Sequence, residues 1–179
     1  YDEKNKPVRE VAIGLHSCPS DPWARGDRST TSYAGLHHDQ DEPIDSTNNG
    51  IFFLNASVDS EQISDGTSHT IFIGEKFADR EPDLGWMSGT RSTLRNTGMP
   101  PNAARPKTSR GSPGVTIHQD WPQGTVDPLA VGGFGSHHPG GGEFAFGDGH
   151  VSFLSESIDV STYQQLGHRA DGKLHTRAY

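Results

Sequence analysis

The sequence predicts an α+β domain dominated by antiparallel β-sheet, with long loops and little helix. Three observations carry this expectation. Only 30% of residues are hydrophobic, while 22 glycines and 12 prolines imply many turns and extended surface segments. The apolar runs are short and rich in Phe, Ile and Val, as in residues 70–74 (TIFIG) and 144–153 (FAFGDGHVSF), which favours strands. Only residues 159–166 (DVSTYQQL) carry the punctuation of a regular helix, with Asp159 or Ser161 as N-cap and Gly167 as terminator. At 179 residues the chain suits a single domain, 1–179.

The elements follow in order. A short apolar patch at residues 11–15 leads into Cys18-Pro-Ser-Asp-Pro22, which reads as a turn because both prolines fix φ and Ser and Asp can bond nearby backbone. Residues 30–34 (TTSYA) have the β-branched and aromatic content of a strand. A polar loop from 37 to 49 ends at Asn49-Gly50, and residues 51–54 (IFFL) read as a buried strand. Between 58 and 65, Asp59 or Ser60 can cap one helical turn carrying Ile63. The DGTS turn at 65–68 then feeds the strand at 70–74. Residues 80–133 are proline-rich and weakly periodic, so few regular elements are expected there, with Trp86 and Trp121 pinning the excursion to the body. In the final hairpin, Asp148-Gly149 suits a two-residue type I′ turn. That register pairs Phe146 with Val151 and Phe144 with Phe153, placing all four on one face.

Charge and composition exclude several functions. A net charge of −8 argues against a duplex nucleic-acid binder and against an anionic membrane surface. Cys18 is the sole cysteine, so an internal disulfide is excluded, as is every zinc pattern built on two or four cysteines. It reads as a buried turn residue. No apolar run in these residues is long enough to span a bilayer.

Catalytic signals are weak. The ten histidines contain no HExxH, and there is no G-x-S-x-G elbow and no phosphate-binding P-loop. The adjacent pairs His37-His38 and His137-His138 point opposite ways in extended backbone and do not suit one shared ion. Asp65, Thr67 and Glu75 offer oxygen ligands to calcium, but a turn entering a strand explains Asp65 and Gly66 without an ion. No cofactor is expected beyond this weak calcium signal.

The motifs CPSDP (18–22), TSYAG (31–35), NGIFF (49–53), SDGTSHTIFIGEK (64–76), FGSHHPGG (134–141), FAFGDGHVSFL (144–154) and YQQLGHRADGK (163–173) occur together and in order. In these the chain resembles the DUF1559 family of planctomycetes and relatives, whose C-terminal signature is the prepilin-type processing-associated H-X9-DG domain. His138 and Asp148-Gly149 match that signature.

The resemblance implies a pilin-like globular head, exposed in the periplasm, at the cell surface or outside the cell. Family members typically begin with a prepilin leader and one long hydrophobic helix, as in type IV pilins and type II secretion pseudopilins. Partners would then be other pilin-like subunits, assembled through an N-terminal helix that precedes these residues. The family has no established biochemical function, and some classifications give it a solute-binding label. Two functions are therefore expected. The first is a non-enzymatic structural or assembly domain. The alternative is an exported glycan- or solute-binding module using Trp86, Trp121 or Tyr33 as stacking platforms. Within the motif, His138 is expected to be a structural hydrogen-bonding residue that ties the glycine loop to the hairpin. Asp148-Gly149 is expected to be the turn, and added metal is expected to leave stability unchanged.

Overall fold

The computed structural model describes residues 2–22, 29–78, 84–103 and 129–173. Trp121 and most of the proline-rich excursion lie outside these, so the expected docking of Trp121 does too. Five strands form one mixed sheet: β1 (Tyr33–His38), β2 (Ile71–Glu75), β3 (Leu94–Asn96), β4 (Gly141–Phe146) and β5 (Val151–Ser155), in the order β3-β1-β2-β4-β5. β1–β2, β2–β4 and β4–β5 are antiparallel, and β1–β3 is parallel. Among the described residues, helix is confined to α1 (Lys6–Arg9), α2 (Val160–Gly167) and three 3-10 turns. The architecture is α+β and sheet-dominated, as the composition predicts.

Several expected elements form close to where the sequence puts them. Asp59 and Gln62 close a reciprocal capping box around the 3-10 turn Ser60–Gln62, and the turn buries Ile63. Asp159 caps α2 by accepting from the Thr162 N–H at 2.9 Å. Within the described part of 80–133 only the three-residue β3 is regular, and it is extended by an isolated bridge from Asn96 to Gly133.

One sheet face builds the core. Ala34, Leu36, Ile71, Phe144, Phe146 and Leu154 face Phe134 and the Tyr163 and Leu166 side of α2. Phe144 is the hub, edge-on to Phe134 at 5.3 Å and to Tyr163 at 5.8 Å. Gly74 makes room for this stack, since a Cβ there would lie 2.6 Å from the Phe144 ring. Burying each of these large side chains stabilises the fold by about 1.5–3 kcal/mol before entropy is counted.

Three expectations are corrected. The strand expected at 30–34 runs over Tyr33–His38 instead, so His37 and His38 belong to β1 rather than to the polar loop. Residues 51–54 form bends and turns rather than a strand; Ile51 is buried, but Phe52 and Leu54 are exposed. The hairpin register is one residue off the expected one, pairing Ala145 with Val151, Phe144 with Ser152 and Glu143 with Phe153. The loop is Gly147-Asp148-Gly149, closed by Phe146 N–H to His150 O at 3.0 Å and Gly149 N–H to Phe146 O at 2.9 Å. Gly149, at φ +91°, takes the left-handed position of a three-residue turn. The slip sends Val151 and Phe153 to the opposite face from Phe144 and Phe146, leaving them 62% and 43% exposed. Leu154 is the β5 residue that enters the core.

The outer face has its own apolar row. Leu94, Gly35, Ile73, Ala145 and Val151 are register partners across all five strands. Phe52 lies over Gly35 and meets Phe72 edge-on, forming one wall of an open groove of about 710 Å³ above β1 and β3. Tyr33 and Trp86 also line it.

Candidate functional site: the Cys18–Glu75–His138 junction

Three separate chain segments meet at one end of the sheet. The CPSD turn is closed by Asp21 N–H to Cys18 O at 3.0 Å and docks just before β1 through Cys18 N–H to Ser32 Oγ at 3.1 Å. Glu75 ends β2, directly across from Tyr33. His138 sits in the glycine loop before β4, where its N–H donates to Ser136 Oγ at 3.0 Å. That loop is held by Asn102, whose Oδ1 accepts from Ser136 N–H at 2.7 Å. The Asn102 amide donates to Gly141 O at 3.3 Å and to Glu156 at 3.1 Å.

The side chains converge on one ring nitrogen. His138 Nε2 lies 3.6 Å from Cys18 Sγ and 3.3 Å from Glu75 Oε1. The three ligand atoms are within 4.8 Å of one another, and Cys18 and Glu75 are both buried. The other carboxylate oxygen, Glu75 Oε2, accepts from Glu143 N–H at 2.9 Å, which fixes the side chain from the β4 side. His137 turns the other way, its Nε2 lying 3.4 Å from Asp21 Oδ1 and its ring edge-on to Phe77. The two adjacent histidines, at a bend in the chain, thus meet the same CPSD turn at different residues, Asp21 and Cys18.

This constellation is not a nucleophile–base–acid relay. Such a relay needs the thiol on one imidazole nitrogen and the orienting carboxylate on the other. Here both face Nε2. Burial pushes the Cys18 thiol above its usual pKa, and the Glu75 carboxylate adds to the effect. Tyr33 opposite is also shifted up, by burial first and then by the neighbouring Cys18 and Glu75. A thiol in this setting is not activated for attack.

The other sequence-selected residues lie elsewhere. Asp65 is buried and accepts from Asp171 N–H at 2.6 Å and Gly172 N–H at 2.9 Å, fastening the segment after α2. Gly66, at φ +91°, makes the turn into β2. Asp65 and Glu75 flank opposite ends of β2 with different partners, so the oxygen set Asp65, Thr67 and Glu75 does not converge. Asp148 accepts from His150 N–H at 3.0 Å and pairs with its Nδ1 at 2.6 Å, and these contacts hold its carboxyl below the usual range. Trp86 donates its indole N–H to Val11 O at 2.9 Å and packs edge-on to His16. Cys18 is the site residue that reasoning from sequence passes over. It is far from Glu75 and His138 along the chain, so no spacing rule could flag it.

A family model described as "Protein of unknown function (DUF1559)" matches residues 1–161. No curated protein and no solved structure gives a significant match. The match spans the CPSD turn, β2 and the whole H-X9-DG stretch, so the junction residues all fall inside it. The chain belongs to the DUF1559 family.

Proposed function

We propose that this domain is the non-enzymatic, extracytoplasmic head of a pilin-like or pseudopilin-like protein, with a structural or assembly role in a type IV pilus or type II secretion-like system. The observation that carries the reading is the outer sheet face. The inner face is closed by α2, whereas the outer row from Leu94 to Val151 is apolar and leaves Ile73 and Val151 exposed. A sheet with two apolar faces calls for a second packing layer, and exposed apolar patches of this kind mark interaction surfaces. An apolar helix, the element that precedes such heads in this family, is the occupant proposed.

The test is to express the complete reading frame and compare amide exchange in β2 and β5 with that of the head alone. Protection of Ile73 and Val151 only in the complete protein supports the proposal. Equal exchange in both sinks it.

A second reading, an exported glycan- or solute-binding module, is favoured by one observation. Tyr33 and Trp86 line the same groove, whose volume of about 710 Å³ falls within the usual range of small-molecule sites. It ranks second because the Trp86 indole N–H is already bonded to Val11 and the lining is mostly apolar. A glycan-array signal abolished by Trp86→Ala would reverse that order.

A further inference from the structure

We propose that Cys18, Glu75 and His138 form a transition-metal site, best suited to zinc(II), that clips the CPSD turn, the end of β2 and the glycine loop together. The donor set is the first argument. One thiolate, one imidazole and one carboxylate suit zinc and its neighbours, and do not suit calcium or magnesium, which prefer all-oxygen sites.

The distances are the second argument. With bonds to zinc of about 2.3 Å for sulfur, 2.0–2.1 Å for nitrogen and 2.0 Å for oxygen, a tetrahedral site has an S···N edge of roughly 3.5 Å and an N···O edge of roughly 3.3 Å. The observed separations are 3.6 Å and 3.3 Å. Two of the three edges therefore already match such a site, and the third, between sulfur and oxygen, is within 4.8 Å.

Without an ion, hydrogen bonding holds the cluster only while the thiol stays protonated, with Cys18 and His138 both donating to Glu75. Nε2 carries either one proton or one lone pair, so it can engage only one of its two neighbours well. If it donates to Glu75, the Cys18 thiol is left with the same carboxylate as its partner; if it accepts from the thiol, Glu75 Oε1 faces a lone pair. A cation at the centre engages all three atoms at once and displaces the thiol proton, as a coordinating metal does.

The surrounding contacts fit the same role. The Glu143 N–H on Glu75 Oε2 leaves Oε1 free to act as a single-oxygen ligand, the kind of outer contact that orients metal ligands. The His138 side chain is 32% exposed, which leaves solvent access for a water as fourth ligand. Because the three ligands come from distant segments, bound metal would close long loops and stabilise the fold. This reverses the sequence-based expectation that metal leaves stability unchanged.

The experiment strips the protein with EDTA and titrates it with zinc(II) and cobalt(II). The expected result is one equivalent bound, a rise in Tm with zinc, and a sulfur-to-cobalt charge-transfer band with the visible absorption of tetrahedral cobalt. Cys18→Ser should abolish the band and weaken zinc binding at least ~100-fold, more than the loss of an outer-sphere contact would. Asp148→Ala should bind as wild type does. If Cys18→Ser does not fold, the wild-type spectrum and stoichiometry decide. No band, or binding well below one equivalent, overturns the proposal, as does a band that persists in Cys18→Ser.

Discussion

His138 and Asp148, the two fixed points of the H-X9-DG stretch, stand at opposite ends of β4 and share no partner among the described residues. The six-residue strand between them spans roughly 17–20 Å, so they cannot ligate one ion. His138 faces Glu75 and Cys18, while Asp148 faces His150. The spacing of the signature is the length of one strand with an anchor at its start and a turn at its end. Each half should then fail in its own way.

At the turn end, Gly149→Val should destabilise the domain by about 1–3 kcal/mol. No atom lies within 4 Å of a Cβ there, so the cost is that of forcing a β-branched residue to φ +91°. Gly149→Asn should cost less, because Asn tolerates the left-handed region. Urea unfolding of both variants checks the order; equal losses would point to a cause other than backbone strain.

Asp65 offers a test of the fastening after α2. Asp65→Ala removes the acceptor for the Asp171 and Gly172 amides and should cost roughly 1–3 kcal/mol. Faster proteolysis near residues 171–173 should accompany the loss. Thermal melts with limited digestion measure both, and an unchanged digestion pattern would show that Asp65 does not hold that segment.

His37 should make the fold acid-sensitive. Its ring is fully buried, Nδ1 lies 3.2 Å from Asn48 Oδ1, and Nε2 has no hydrogen-bond partner among the described residues. Asn48 Oδ1 also accepts from Asp45 N–H, so His37 is the donor to it and Nε2 carries the buried lone pair. Burial lowers its pKa from 6.5 to about 4, with smaller contributions from Asn48, His38, Asp41 and Arg95. The unfolded chain therefore binds the proton first. The stabilising contribution is complete above about pH 6.5, falls as pH drops towards 4, and is absent below both values. The shift is worth roughly 3 kcal/mol. Denaturant melts from pH 7 to 4 should show this slope in the wild type and a weaker one in His37→Asn; parallel slopes would count against it.

Much of this fold is legible in the sequence, for local reasons. The caps at Asp59 and Asp159 depend on residues three apart, and in each place the first of the two expected residues takes the role. Asp59 with Gln62 completes a box that goes beyond the expectation. The hairpin register is less legible. Residues 144–153 are apolar at positions that serve either face, so alternation cannot choose between a two-residue and a three-residue loop. Leu154, one residue beyond that stretch, decides it by entering the core. For the junction, His138 and Glu75 stand out by their motifs, but their meeting with Cys18 is set by the order of the strands. No sequence window contains that order.

If the outer sheet face is a packing surface for another part of the assembled protein, a charge placed on it should block assembly without unfolding the head. Val151→Asp is the sharpest such probe, because Val151 is 62% exposed in the head and lies outside the inner core. The isolated head carrying this substitution should unfold within about 0.5 kcal/mol of wild type. The complete protein carrying it should fail to assemble with its partner subunits in a pull-down or filament assay. Normal assembly by the Val151→Asp protein, with the head folded, would contradict the role proposed for this face.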